Sequence, residues 1–424
     1  VLDLRFIREN AEKVKKNAAL RSVACDVDRI IELVNTKNQW LTQVQDLQRQ
    51  QNEVARRIKS AASSEERERC VQTGKQLRAQ VNELETRLAQ LEPEILQEQS
   101  RVPNLTHPDA PHGIENVVVR AAGAIPKFDF KPRDHVELCA LHDWADFEAA
   151  AKVAGSSFYF LKGELALLQL ALVSFAMRTL VAEGFTAVIT PDLARSRVLE
   201  GTGYIPRGPE TQIYRLADYD LGLIATAEIT LAGMLADEIL AAERLPIKFV
   251  GLSHCFRTEA GAHGRATRGL FRVHQFTKVE MFAFTRPEQS ESIHEEMLRI
   301  EEQLFQRLEI PYRVVDICAA ELGGPAYRKY DLEAWMPGRG EAGEYAEVTS
   351  TSNCTDYQAR RLGIRFKLPG EKGTRFVHML NGTAIAASRA LIAILENHQR
   401  SDGSVRVPTA LVPYMGVELM GGAS

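Results

Sequence analysis

Apolar side chains recur at alternating spacings of four and three through two stretches of the first hundred residues. Trp40, Val44, Leu47, Val54 and Ile58 form the first run, with Gln51 at its one polar seam position; Cys70, Leu77, Val81, Leu84, Leu88, Leu91 and Ile95 form the second. This heptad pattern, broken at Ala61 to Glu65, predicts an antiparallel helical hairpin from about Asp26 to Gln99. At about 35 residues per helix and about 1.5 Å per residue, such an arm is roughly 50 Å long.

Downstream the period changes. Phe256 to Phe284, FRTEAGAHGRATRGLFRVHQFTKVEMFAF, reads as two strands joined by a long, basic, Gly-rich loop. Side chains two apart in a strand share a face. Arg257 and Glu259 therefore point one way, and Arg272, His274, Phe276, Lys278 and Glu280 share a face opposite Val273, Thr277, Val279 and Met281. The expectation is an apolar face that packs on a core and a polar face that, with its lone aromatic, floors a site for a charged, planar ligand. The plainer reading is a half-solvated antiparallel hairpin whose charges pair across strands.

Other stretches supply the remaining elements. Gly163 to Glu183 predicts a mostly buried helix and Thr186 to Pro191 a short strand; LIATAE, Leu223 to Glu228, reads as a strand end feeding a helix from Ile229 to Ala242. Strands are expected at Tyr330 to Trp335, Tyr345 to Thr349 and Arg375 to Leu380, the last leading through Asn381, Gly382 and Thr383 into a helix from Ala384 to His398. Val102 to Pro132, rich in Pro, Gly and His, reads as linker, with His107 and His112 as loop histidines. Hairpins and loops outnumber βαβ crossovers, so the fold class is α+β with an antiparallel sheet. The domain boundary is expected between residues 102 and 103, giving 1–102 and 103–424.

Composition narrows the function classes. A net charge of -4 over 424 residues excludes a global basic signal, so a polyanionic partner must be met by local patches. The arm offers Arg49, Arg56, Arg57 and Lys59, yet residues 1–100 carry 17 Lys and Arg against 16 Asp and Glu. By itself such an arm suits a dimerisation coiled coil, a spacer or a probe reaching a large partner. Six scattered cysteines without a CxxC pair argue against a disulfide framework and structural zinc, and for a reducing compartment. The apolar stretch Leu165 to Met177, interrupted by Gln169, reads as too short to span a bilayer, so no membrane partner is expected. The start at Val1 suits a trimmed chain or a removed targeting peptide.

With these residues on the page, FRTE, its loop and VHQFTKVE resemble motif 2 of class II aminoacyl-tRNA synthetases, in the version of the seryl-tRNA synthetases. GFTAVITP resembles motif 1 and LNGTAIAASRALIAILENHQ motif 3; TAE at Thr226 to Glu228, EVTSTSNCTDYQARR at Glu347 to Arg361 and VPTALVPYMG are similar to the same family. The resemblance spans nearly the whole chain. It implies a class II antiparallel sheet flanked by helices, an N-terminal coiled-coil hairpin for tRNA binding, and a homodimer interface near Pro191. The implied activity activates L-serine with ATP and Mg²⁺, without zinc, to seryl-adenylate, then transfers it to the 3′-terminal ribose of tRNA(Ser). The wording of Gly338 to Ser350 suggests an animal mitochondrial form working in the matrix, with the cytoplasm as the alternative.

The implied roles are chemically coherent. Activation builds negative charge at the α-phosphate, where the planar fork of Arg257 is suited to stabilise the transition state; Glu259 and Arg389 complete the implied catalytic set. Thr226, Glu228, Arg257, Glu280, Asn381 and Thr383 would hold serine, carboxylates taking its ammonium and polar groups its hydroxyl. Arg257, Thr258, Glu259, Arg272, Val273, Phe276, Glu347, Val348, Thr349, Ser350 and Arg389 would hold ATP. In that set Phe276 and Arg389 sandwich adenine, and Glu347 and Ser350 bind Mg²⁺. His263, Arg265 and Arg268 would meet the tRNA acceptor end. Ala384 and Ser388 stand where the family usually has glycine, and Thr383 where it commonly has serine, which implies a narrowed ATP floor. The segment Ala154 to Gly163 lacks an arginine often present there. The competing hypotheses are a non-catalytic paralogue that binds RNA or protein, and a coiled-coil assembly protein that explains only the first hundred residues.

Overall fold

The computed structural model describes residues 1–204, 212–259 and 268–422. Its contacts divide it into two units, Val1–Leu105 and Thr106–Ser424.

In the first unit, two short helices, Leu4–Glu9 and Ala11–Leu20, precede α1 (Val27–Ser60) and α2 (Ser64–Arg101). Caps define where the long helices begin: the Asp26 carboxylate accepts from Arg29 N, and the Ser63 hydroxyl accepts from Glu66 N. The predicted seam forms, with Val44, Val81 and Leu88 buried against Trp40, Leu47 and Leu84. Near the base, Lys37 meets Glu92 at 2.8 Å and Arg29 meets Glu94 at 2.7 Å. These pairs are solvent-exposed, so they tune register more than they stabilise.

The second unit is built on an eight-stranded sheet, numbered here in chain order. Its strands are β1 (Val117–Ala122), β2 (Thr186–Ile189), β3 (Ile247–Phe256), β4 (Gln275–Thr285), β5 (Tyr312–Asp316), β6 (Arg328–Met336), β7 (Glu344–Asn353) and β8 (His378–Ala386). Their spatial order is β1-β5-β6-β7-β8-β4-β3-β2. Every neighbouring pair is antiparallel except β2 and β3. The α+β architecture is the expected one. Three helices, α3 (Gly163–Ala182), α4 (Ser290–Arg307) and α5 (Ala387–Asn397), share one large core with the sheet, including Phe175, Phe305, Leu332, Met281 and Leu391.

Several local expectations give way to tertiary pairing. Part of the presumed linker is edge strand β1, because the β-branched run from Val117 finds a partner in β5, with an irregularity at Val119. The helix foreseen from Ile229 to Ala242 spans only Ala227–Gly233; Asp237 then turns at φ 65° and Ile239–Ala241 pairs in parallel with Arg365–Lys367. Gly251 of β3 lets this short helix approach, since a Cβ there would stand 2.9 Å from Leu231 Cδ1. The Asn381-Gly382-Thr383 run looked like a turn into a helix. It instead continues β8 to Ala386, because Asn381 to Ala386 pair with Phe282 to Lys278 of β4. Helix α3, at 20 residues, is longer than its apolar stretch suggested, and by length and composition it could cross a membrane. Its Leu165, Leu168, Leu172 and Phe175 are instead packed in the core.

Candidate active site

Strands β3 and β4 form the centre of the site. Their register sets Gly251 opposite Glu280, Ser253 opposite Lys278 and Cys255 opposite Phe276. The plainer reading, a half-solvated hairpin, does not hold: β4 lies between β3 and β8 and is buried from Phe276 onward, charges included. The strand also begins at Gln275, so the alternation assumed for residues 272–274 does not hold. Val273 packs with Cys255 and Phe276 and borders the cleft beside Arg272. His274 turns away to Phe158 and Tyr214, its Nδ1 2.9 Å from Arg257 O.

The cleft encloses about 700 Å³, open mouth included. It gathers Glu228, Arg257, Glu259, Arg272, Val273, Phe276, Glu280, Glu347, Val348, Thr349, Ser350, Asn381, Thr383 and Arg389. Thr226 sits one layer behind, its hydroxyl accepting from Lys278 Nζ at 2.8 Å. Thr258 and Arg268 do not line the cleft; Arg268 pairs with Asp134 at 3.0 Å. His263 and Arg265 lie outside the described residues. Of the two residues replacing glycine, Ser388 borders the cleft whereas Ala384 packs in the main core, so Ala384 does not narrow the floor.

At one end the cleft is lined by carboxylates. Glu280 Oε2 pairs with Lys278 Nζ at 2.5 Å and accepts from the Thr383 hydroxyl at 3.3 Å. Glu228 Oε1 accepts from Gln358 Nε2 at 2.6 Å and Asn381 Nδ2 at 3.1 Å, while Tyr204 donates to its Oε2 at 3.4 Å. Burial pushes the Glu228 carboxyl up to about 7; Gln358, Lys278 and Tyr204 oppose this and Glu280 adds to it. Two carboxylates with only one lysine between them leave this end ready for a small cation.

The other end is cationic and aromatic. Arg257 N donates to His274 O at 2.9 Å, and its guanidinium stands 5.2 Å over the Phe276 ring. Arg272 Nη1 meets Glu259 Oε2 at 3.1 Å, Glu259 being held at φ 49°. Arg389 stacks on Phe271 at 4.8 Å and donates to Glu347 O at 2.9 Å. The guanidinium over Phe276 is thus that of Arg257, while Arg389 faces Phe271.

Burial alone would raise the Glu347 carboxyl, but Arg389, Lys329 and Arg257 hold it below its ordinary range. A charged carboxylate with the nearby Ser350 hydroxyl is a hard-oxygen donor pair, which suits Mg²⁺ when phosphate oxygens complete the shell. Val348 and Thr349 border the cleft, yet Val348 packs in the core and the Thr349 hydroxyl donates to Glu301 Oε2 at 2.9 Å behind the sheet.

Tyr204, Phe271, Lys278 and Ser388 also line the cleft, and Gln358 buttresses it, without having been assigned a role. Lys278 was legible, being in phase with Phe276 and Glu280. Gln358 lies within the Glu347 to Arg361 run but carried no assigned role there, and nothing local marks Tyr204; both reach Glu228 from distant segments.

Comparison with known proteins adds to this geometry. The family model for the seryl-tRNA synthetase N-terminal domain matches residues 1–106, and that for the class II tRNA synthetase core domain (G, H, P, S and T) matches residues 214–398. The serine–tRNA ligase of Rubrobacter xylanophilus is 58% identical, with 100% of both chains covered. That of Rhodopirellula baltica is 56% identical over 99% of each. The crystal structure of seryl-tRNA synthetase from Pyrococcus horikoshii complexed with ATP superposes with a TM-score of 0.92 at 42% identity, covering 100% of both chains.

Proposed function

The chain belongs to the seryl-tRNA synthetase family, and from that premise we propose how its cleft divides the work. It is an ATP-dependent ligase that activates L-serine and transfers the seryl group to the 3′-terminal ribose of tRNA(Ser). The observation that carries the site reading is the polarity of the cleft: buried Glu228 and Glu280 at one end, and Arg257 and Arg389 with Phe271 and Phe276 at the other.

Serine would enter with its ammonium toward Glu228 and Glu280 and its hydroxyl toward Thr383 and Glu280. Its carboxylate oxygen attacks the α-phosphorus of ATP, forming one P–O bond as the bond to the β-phosphate oxygen breaks and pyrophosphate leaves. Arg257 neutralises charge building on the non-bridging oxygens. Glu347 and Ser350 would hold Mg²⁺, which when bound supplies charge neutralisation to the phosphates. In the second step the ribose 3′-hydroxyl attacks the carbonyl carbon and AMP leaves with the phosphate oxygen. The adenylate is already activated, so no side-chain nucleophile is required.

Serine-dependent pyrophosphate exchange tests this arrangement. A pocket built to hydrogen-bond a hydroxyl should reject alanine by about 10⁴-fold in kcat/KM; exchange with alanine or threonine equal to that with serine would sink the reading. The Glu228 carboxyl adds a pH signature. Serine's ammonium needs a carboxylate, so kcat/KM for serine should fall as pH drops below about 7. Glu228→Gln should lower it and flatten that limb, and an unaltered limb in the variant would reassign the titrating group.

The partner and compartment readings are also proposals. Leu167, Leu170 and Val181 of α3 and Ile189 of β2 expose apolar surface around the motif 1 segment, which favours a homodimer through that face. The arm would reach the tRNA body by shape and phosphate contacts. The two sequence relatives named are bacterial and support no animal mitochondrial origin, so we propose the cytoplasm, the second of the two expected compartments. Six scattered cysteines without a CxxC pair agree with a reducing one.

A further inference from the structure

Phe271 is clasped between two guanidiniums in the wall of the cleft, Arg389 at 4.8 Å and Arg339 at 4.4 Å from the ring centroid. The three parts of this sandwich come from different segments, and the two outside α5 each adjoin a backbone amide held by one buried pair, His135 and Glu396, 8% and 2% exposed. Glu396 Oε1 accepts from His135 N at 3.0 Å and from His135 Nδ1 at 2.9 Å. With Nδ1 donating to a carboxylate, Nε2 is left as an acceptor, and Leu270 N donates to it at 3.2 Å, one residue before Phe271. The other carboxylate oxygen, Glu396 Oε2, accepts from Gly338 N at 2.9 Å, one residue before Arg339. Arg389 and Glu396 lie two turns apart on α5 and so share a face.

Backbone closes tightly on this pair. Gly269 is held at φ 70°, and a Cβ there would fall 2.2 Å from His135 Nε2; one on Gly338 would fall 2.5 Å from Asp134 Cα. Serine activation gives neither His135 nor Glu396 a chemical task, yet their hydrogen bonds tie the two segments that carry Phe271 and Arg339 to α5.

We propose that His135, fixed by Glu396, is a positioning residue for the nucleotide end of the cleft: through Leu270 it sets where Phe271 stands between Arg339 and Arg389. The inference rests on the cleft being the ATP site. It is tested by serine-dependent pyrophosphate exchange on the full chain, with ATP and serine varied separately, alongside thermal melting. His135→Asn places Nδ2 where Nδ1 was, keeping the donor to Glu396 but leaving Leu270 N without an acceptor. His135→Gln places Oε1 where Nε2 was, keeping that acceptor.

The expected result is a KM for ATP raised about tenfold in His135→Asn, with the KM for serine within about twofold of wild type. His135→Gln should rescue the KM for ATP to within about threefold of wild type. A merely structural pair would move both variants together, so an equal KM for ATP in the two, or an equal rise for ATP and serine, overturns the proposal. Should neither variant fold, Arg339→Leu carries the test at a more exposed position. A severalfold higher KM for ATP at unchanged melting temperature supports the sandwich's role, and an unchanged KM refutes it. Absence of serine-dependent exchange in the wild-type chain would sink the reading of the cleft itself, a failure distinguishable from the others because no variant is involved.

Discussion

Arg257→Ala is expected to reduce serine-dependent pyrophosphate exchange by about 10³-fold or more in kcat/KM while leaving the melting temperature nearly unchanged. The residue follows the last position of β3, and its backbone amide is already bonded to His274 O, so truncating the side chain leaves that bond in place. What disappears is a guanidinium over Phe276, at the cationic, aromatic end of the cleft. In-line displacement at phosphorus develops charge there that is absent in the ground state, so the loss should appear mainly in kcat. Arg257→Lys separates the two parts of the effect. It restores a positive charge but not the planar fork, and should recover only part of the activity. Exchange by Arg257→Ala within about tenfold of wild type would show that Arg389 or the metal carries the α-phosphate charge instead.

Much of this site was legible because its residues recur in phase within one strand. Phe276, Lys278 and Glu280 alternate, and the structure places all three on the cleft. The arm was legible for the same reason, since a heptad seam needs only its own partner helix to be satisfied. The errors occur where a distant segment decides the outcome. Asn381-Gly382-Thr383 carries a turn signal, yet β4 offers those residues a ladder and the strand wins. The expected helix after Ile229 loses its second half to a parallel pairing with residues more than a hundred positions away. His135 and Glu396 are 261 residues apart, so no periodicity could have joined them. Tyr204, and the role of Gln358 within its family-like run, are hidden for the same reason: both act by reaching Glu228, and a sequence carries no local record of that approach.

Replacing residues 42–86 by a short Gly-rich turn should abolish charging of tRNA(Ser) while sparing serine-dependent pyrophosphate exchange to within about twofold. The cut keeps the base of the hairpin intact. Ile30, Leu33, Leu91 and Ile95 stay buried, and the Lys37–Glu92 and Arg29–Glu94 pairs remain to hold the register. It removes Val44, Leu47, Val81 and Leu84 of the seam together with the exposed Arg49, Arg56, Arg57 and Lys59. If the distal arm makes even three charge-assisted contacts with the tRNA, each worth about 1.5 kcal/mol, its loss lowers kcat/KM for tRNA by about 10³-fold. The two readouts separate the explanations. A misfolded chain would lose both activities, a spacer or dimerisation arm would lose neither in this way, and only a probe loses charging alone. The triple variant Arg56→Ala, Arg57→Ala, Lys59→Ala refines the point. It should weaken charging and flatten its salt dependence if these residues meet phosphates, because each released counterion contributes to that slope. Full charging by the shortened chain would refute the probe and return the arm to the structural readings that its near-neutral charge also permits.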